Sequence, residues 1–171
     1  MSVSMYQASA PVFIHMLENL SAMLDKAAAY CEAKKIEPSV LIQSRLAPDM
    51  QPFAFQIQAA AFSAWNGVAR LAGLEEVSVQ GNDTTFPELK ARLDKTLAFL
   101  KSVKPEQVDG SEERTLRVNV RGSEVTFKGQ PHLLHFNLVH FYFHVTTAYA
   151  LLRHNGVDLG KRDFIGPLIT G

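Results

Sequence analysis

Apolar residues recur at steps of three and four between Pro11 and Lys34: Phe13, Met16, Leu17, Leu20, Leu24, Ala27 and Cys31. That spacing predicts an amphipathic helix, with Glu18, Asn19, Asp25 and Lys26 on its other side and His15 among them, facing solvent. Lys35 to Asp49 is a connector punctuated by Pro38 and Pro48, with room for a short helical turn from Ser39 to Ser44. Pro52 then stands where a first helical turn accepts proline, and helical periodicity runs from Phe53 to Ala72, with Gly73 as its stop. Phe53, Ile57, Ala60, Ala61, Ala64, Val68 and Leu71 share one face of this second helix. Phe55, Phe62, Trp65 and Ala69 form a second apolar stripe, and Arg70 is the helix's only charged residue. A helix apolar on two sides is either central or covered by a partner, so Phe55, Phe62 and Trp65 are expected to be buried core or a homodimer face.

Beyond a polar connector from Gly73 to Thr84, Thr85-Phe86-Pro87-Glu88 has the pattern of a capping box. Leu89, Leu93, Leu97 and Leu100 carry a third helix to about Ser102, with Lys90, Arg92, Asp94, Lys95 and Lys101 as its solvated side. Periodicity then changes to two. Leu116, Val118 and Val120 alternate with Arg117, Asn119 and Arg121, and Val125 and Phe127 alternate with Glu124 and Thr126. With Gly122-Ser123 as a type II′ turn, a hairpin over about 114–128 would set Val120 opposite Val125 and Val118 opposite Phe127. A fourth helix is expected from Pro131 to about His154, ended by Asn155-Gly156. The pattern describes one domain over 1–171, mainly helical, closed by a tail in which Phe164 fills an apolar gap.

Composition narrows the function classes. The 171 residues carry 17 basic and 17 acidic side chains, a balance that argues against nucleic acid as the main partner. One cysteine cannot form an internal disulfide, and Met1 to Gln7 lacks the basic and apolar blocks of a secretory leader. The fourth helix is long enough to span a bilayer, but its histidines, Asn137 and threonines make insertion costly. A cytoplasmic protein that does not enter the membrane is expected.

Candidate chemistry concentrates in the fourth helix, which holds five of the six histidines within it or at its ends. His140 and His144 are one turn apart, on a face that helical spacing extends through Leu133, Phe136, Phe143, Thr147 and Leu151, so both rings are expected to point inward. His132 and His135 fall on a more polar side. Two imidazoles at this spacing form half of a site for a divalent metal such as Zn or Ni. A functional site needs a third protein ligand, and Gln51 to Ala72 contains no His, Asp, Glu or Cys. The favoured alternative is a neutral, hydrogen-bonded pair beside a small polar pocket that includes Thr147 and takes a small-molecule ligand. Cys31 has no activating partner in the sequence, and no glycine-rich phosphate loop is present.

The run Phe141-Tyr142-Phe143-His144-Val145-Thr146-Thr147-Ala148-Tyr149, with Leu152-Arg153-His154-Asn155-Gly156-Val157 and Gly160-Lys161-Arg162-Asp163-Phe164, resembles a bacterial family of unknown function grouped with the DinB/YfiT-like four-helix bundles. Leu46-Ala47-Pro48-Asp49-Met50 leading to Gln56, and Ala69-Arg70-Leu71-Ala72-Gly73, fit the same family. The resemblance implies an up-down four-helix bundle with a long crossover, often dimeric, here with one small hairpin between helices three and four. In the wider superfamily it implies a divalent metal held by one histidine on helix two and an HxxxH pair on helix four, serving thiol-dependent transferases or isomerases. His140 and His144 match the second half of that pattern. On helix two, Phe62 and Ser63 stand where a ligand would be sought. The family pattern also carries an acidic residue near Phe62 and an asparagine near His140, and this chain departs from both.

Overall fold

The computed structural model describes residues 3–78 and 81–170; the first two positions, the last, and positions 79 and 80 of the connector after Gly73 lie outside the description. Four long helices carry the fold: α1 (Ala10–Lys34), α3 (Phe53–Ala72), α4 (Phe86–Ser102) and α7 (Leu138–His154). Short helical segments α2 (Pro38–Ile42), α5 (Pro105–Val108), α6 (Gly129–Pro131) and α8 (Lys161–Ile165) lie in the connections. The hairpin β1 (Thr115–Val120) and β2 (Ser123–Lys128) joins the third long helix to the fourth.

Each long helix buries the stripe its sequence marks. All seven apolar positions of α1 from Phe13 to Cys31 are buried, as are Leu89, Leu93, Leu97 and Leu100 of α4. The start of α4 has both halves of the capping box: the Glu88 amide donates to Thr85 Oγ1 at 3.3 Å, and Glu88 Oε2 accepts from the Thr85 amide at 3.0 Å. Helix α3 packs between α4 and α7, while α1 lies chiefly against α4. Consecutive helices α1 and α3 therefore sit across the bundle from one another, and the connector holding α2 makes the long crossover.

Four sequence expectations change in detail. The hairpin loop is Arg121-Gly122, with Val118 opposite Val125 and Leu116 opposite Phe127. Both loop residues have positive φ, 53° and 86°, as in a type I′ turn, and Asn119 Oδ1 accepts the Gly122 amide at 2.8 Å. The register moves by two residues, so the apolar side survives: Leu116 and Val118 remain buried. Secondly, the fourth helix is not a uniform α-helix from Pro131, because His132–Asn137 forms a π-helical turn. Its five-residue step puts His132 and Asn137 on one side, both buried, so His132 does not lie on a polar face. Thirdly, the core side of α7 is Phe141, His144, Val145, Ala148, Leu151 and Leu152; Phe143 is 54% exposed rather than inward. Finally, Asn19 is buried, its amide donating to the carbonyls of Phe164 and Ile165 at 3.1 and 3.0 Å. His15 Nε2 meets the Ile165 carbonyl at 2.7 Å, so this ring is part of the clamp on the tail rather than free in solvent. Phe164 packs edge-on against Tyr149, in the place its sequence suggests.

Candidate functional site

Helices α3 and α7 meet along a mostly apolar seam in which a short series of polar groups is embedded. The Gln56 side-chain amide donates to the Gln51 carbonyl at 2.9 Å, which turns its Oε1 toward His144 Nδ1, 2.7 Å away. His144 Nε2 faces His140 Nε2 at 3.3 Å, and His140 Nδ1 lies 2.6 Å from Ser63 Oγ. Aromatic rings hold the two imidazoles in place: Phe55 and Phe143 meet His144 edge-on, and Phe136 stacks along His140.

The protons in this series are ordered by its anchored end. Because Gln56 Oε1 can only accept, His144 must carry its proton on Nδ1. Burial, and then the neighbouring His140 ring, push the His144 pKa down to about 4, so the ring is neutral near pH 7 and Nε2 is a lone pair. His140 is also pushed below the usual histidine range by burial, and its Nε2–H donates to His144. His140 Nδ1 is then an acceptor, and Ser63 Oγ–H is its donor. Every hydrogen bond therefore points the same way, from Ser63 to the Gln51 carbonyl.

Ser63 and His140 line a cavity of about 510 Å³ between α3, α7 and the hairpin. Phe62, Phe136, Val118 and Val120 give it apolar walls, while Arg70, Arg121, Asn119 and Asn137 add polar groups; no carboxylate is among its lining residues. The Asn137 amide donates to the Ser63 carbonyl at 3.0 Å, and Gly67 makes room for it: a Cβ there would fall 2.1 Å from Asn137 Oδ1. Below the hairpin, fully buried His132 packs against Phe127 and Phe136, and neither ring nitrogen has a partner. Burial first, and the Arg70 charge second, hold its pKa at about 4.

The other sequence candidates separate. Thr147 is buried, but its hydroxyl donates to the Phe143 carbonyl at 2.7 Å and it does not line this cavity. Phe55 and Phe62 are half-buried on the α7 side, whereas Trp65 stacks on Phe99 of α4 at 3.9 Å and donates to the Glu75 carbonyl at 3.1 Å. Cys31 lies by a separate cavity of about 570 Å³ near the end of α1, and burial pushes its thiol pKa up, away from nucleophilic use. In the sequence Ser63 stands out only as a would-be metal ligand, because 77 positions separate it from His140 and hide the pairing.

The Nε2 separation matches the edge of a tetrahedral ion with metal–nitrogen bonds of about 2.0–2.1 Å. Among the described residues, however, no group of three or more His, Cys, Asp or Glu side chains could hold a metal. Two imidazoles backed by Gln56 and Ser63 do not complete a resident metal site.

The family model described as "Domain of unknown function (DUF1993)" matches residues 5–165. Among solved structures, a DinB family member protein from Shewanella denitrificans is 34% identical, with a TM-score of 0.84 over 97% of this chain and 94% of that one. No curated protein matches significantly.

The depressed His132 pKa gives a pH dependence of stability. The folded value of about 4 lies below the unfolded value of 6.5, so the unfolded chain takes the proton first. Stability from keeping this ring neutral is complete above pH 6.5 and is lost as pH falls toward 4, by about 3 kcal/mol. Urea unfolding from pH 7 to pH 4 should show His132→Phe losing less stability than the wild type by about that amount.

Proposed function

The chain belongs to the DUF1993 family, and from that premise we propose that it is a cytoplasmic, homodimeric binding module for a small organic anion. The cavity beneath the hairpin carries the reading. Its volume of about 510 Å³ falls within the ordinary range of ligand sites. Its walls offer aromatic and branched apolar surface for the body of a ligand. Arg121 supplies positive charge, and no carboxylate is among the described lining residues, so a carboxylate is favoured over an amine. Arg70 is partly engaged by Glu76, which leaves Arg121, at the exposed turn, as the freer cation.

The homodimer is supported by the outer face of α7. Val139 is 61% and Phe143 54% exposed, beside the half-buried Phe55 of α3, whose ring, like that of Phe143, packs edge-on against His144. A second copy covering this face would remove a contiguous apolar surface from water. Trp65 contributes less than the sequence suggests, because its ring is already stacked within the chain. The cytoplasmic assignment is supported by the free, buried Cys31, and among the described residues no helix is long and apolar enough to cross a membrane.

Three measurements test this reading. Calorimetric titration with phenylacetate should show saturable binding, with phenylacetamide weaker by at least tenfold; Arg121→Asn, which tolerates the positive φ, should weaken phenylacetate about fivefold. Equal binding of acid and amide would remove the charge preference. In sedimentation, Phe143→Glu should convert a dimer to a folded monomer, whereas a monomeric wild type refutes the dimer. The competing reading is a metal-assisted, thiol-dependent transferase or isomerase using His140 and His144. Elemental analysis of protein purified without a histidine tag is expected to find no stoichiometric metal. Zn or Ni at one per chain, lost in His144→Ala, would establish the competing reading instead.

A further inference from the structure

The direction of the hydrogen bonds across the α3–α7 seam has a chemical meaning beyond binding. We propose that Ser63 is a nucleophile for acyl transfer, with His140 as its general base and a carboxylic ester of a small apolar acid as its substrate class. A serine nucleophile needs an acceptor within hydrogen-bond reach and a third group that fixes the acceptor's tautomer. Both are present. His140 Nδ1 is 2.6 Å from Ser63 Oγ, and His140 Nε2 is 3.3 Å from the His144 lone pair. The tautomer is in turn set by Gln56 and the Gln51 carbonyl. Had the series run the other way, Ser63 would accept a hydrogen bond and its oxygen would be deactivated.

The steps balance. Ser63 Oγ bonds to the acyl carbon as its proton passes to His140 Nδ1; the ester C–O bond breaks, and the departing alcohol takes that proton. Water then attacks the acyl-serine, gives a proton to His140 and releases the carboxylic acid, while Ser63 Oγ recovers its proton. His144 and Gln56 are positioning residues: they keep His140 Nδ1 free and receive the Nε2–H of the transient imidazolium. Phe62, Phe136, Val118 and Val120 would hold the acyl chain, and Arg70 and Asn119, which line the same cavity, would supply donors for the developing oxyanion. Substrate reaches Ser63 through the cavity of the reading above, so the assignment rests on that reading for access but not for the anion preference. Holding the proton on Ser63 also requires His140 protonated at Nε2, which leaves no pair of lone pairs for a metal.

Chelator-treated protein is the form to test. Intact-mass and peptide analysis after exposure to an alkyl fluorophosphonate should find one adduct, on Ser63, and 4-nitrophenyl butyrate should be cleaved with a Ser63-dependent release of nitrophenolate. Ser63→Ala should abolish both, and His140→Phe, which keeps ring volume, should slow labelling about 10²-fold or more. Thermal melts of both variants establish that they are folded. No adduct on the wild type, an adduct elsewhere, ester cleavage unchanged in Ser63→Ala, or wild-type labelling in His140→Phe would each overturn the assignment. Phenylacetate titration of the same preparations separates the two readings: binding without labelling removes the nucleophile and leaves the binding module standing.

Discussion

Helix α3 is covered on nearly every side, and the polar atoms it carries therefore have to be satisfied by neighbouring elements. An unpaired buried hydrogen-bonding group costs about 1–3 kcal/mol, a large share of a domain's net stability. Gln58 meets this demand with the Gly81 carbonyl and Asp83, and Asn66 with both backbone groups of Val77. These pairings pin the connector after α3 to the helix it leaves. Gln56 and Ser63 face the other way, toward α7, and there the partners are His144 and His140. The same constraint that ties down a loop on one side assembles titratable groups on the other.

Satisfying two polar residues on α3 with two histidines on α7 also fixes the helices in rotation. A quarter-turn of α7 would separate His140 from Ser63 and His144 from Gln56 together, leaving buried Ser63 and His144 and half-buried His140 without these partners and Gln56 with only the Gln51 carbonyl. Apolar packing alone does not impose such a penalty, since Leu, Val and Ala surfaces tolerate small rotations. The polar series thus specifies one arrangement of a seam whose stability comes mainly from Ile57, Ala61, Ala64, Phe141, Val145 and Ala148.

Much of the fold is legible in the sequence because periodicity reports burial directly. The bounds of α3, the capping box at Thr85 and the four-helix plan follow from residue spacing and terminal chemistry. The hairpin register does not. Gly122 marks a turn, but Arg121 offers no hint that it would adopt a left-handed backbone, and the strands slide by two residues as a result. The π-helical turn at His132–Asn137 is equally silent, since no residue type compels it. Within the site, the inward placement of His144 follows from its one-turn relation to His140 and the apolar residues around them. Its partners Gln56 and Ser63 are contributed by a distant helix, and a single sequence carries no mark of that pairing. Nor does it mark Phe143 as outward-facing, because an apolar outer face has the same letters as an inner one.

The π-helical turn carries a consequence for how this molecule can vary. An extra residue held within a helix shifts the angular phase of everything before it relative to everything after it. His132 and the hairpin that covers it are set by one phase, and His140 and His144 by another. Excising a single residue there would rewind the junction to ordinary α-geometry and turn the roof of the cavity relative to its floor by about a quarter-turn or more. The enclosure and the hydrogen-bonded floor are joined through Phe136, stacked on His140, and Asn137, bonded to the Ser63 carbonyl, so descendants of this chain that reshape what enters the cavity must also replace those two contacts.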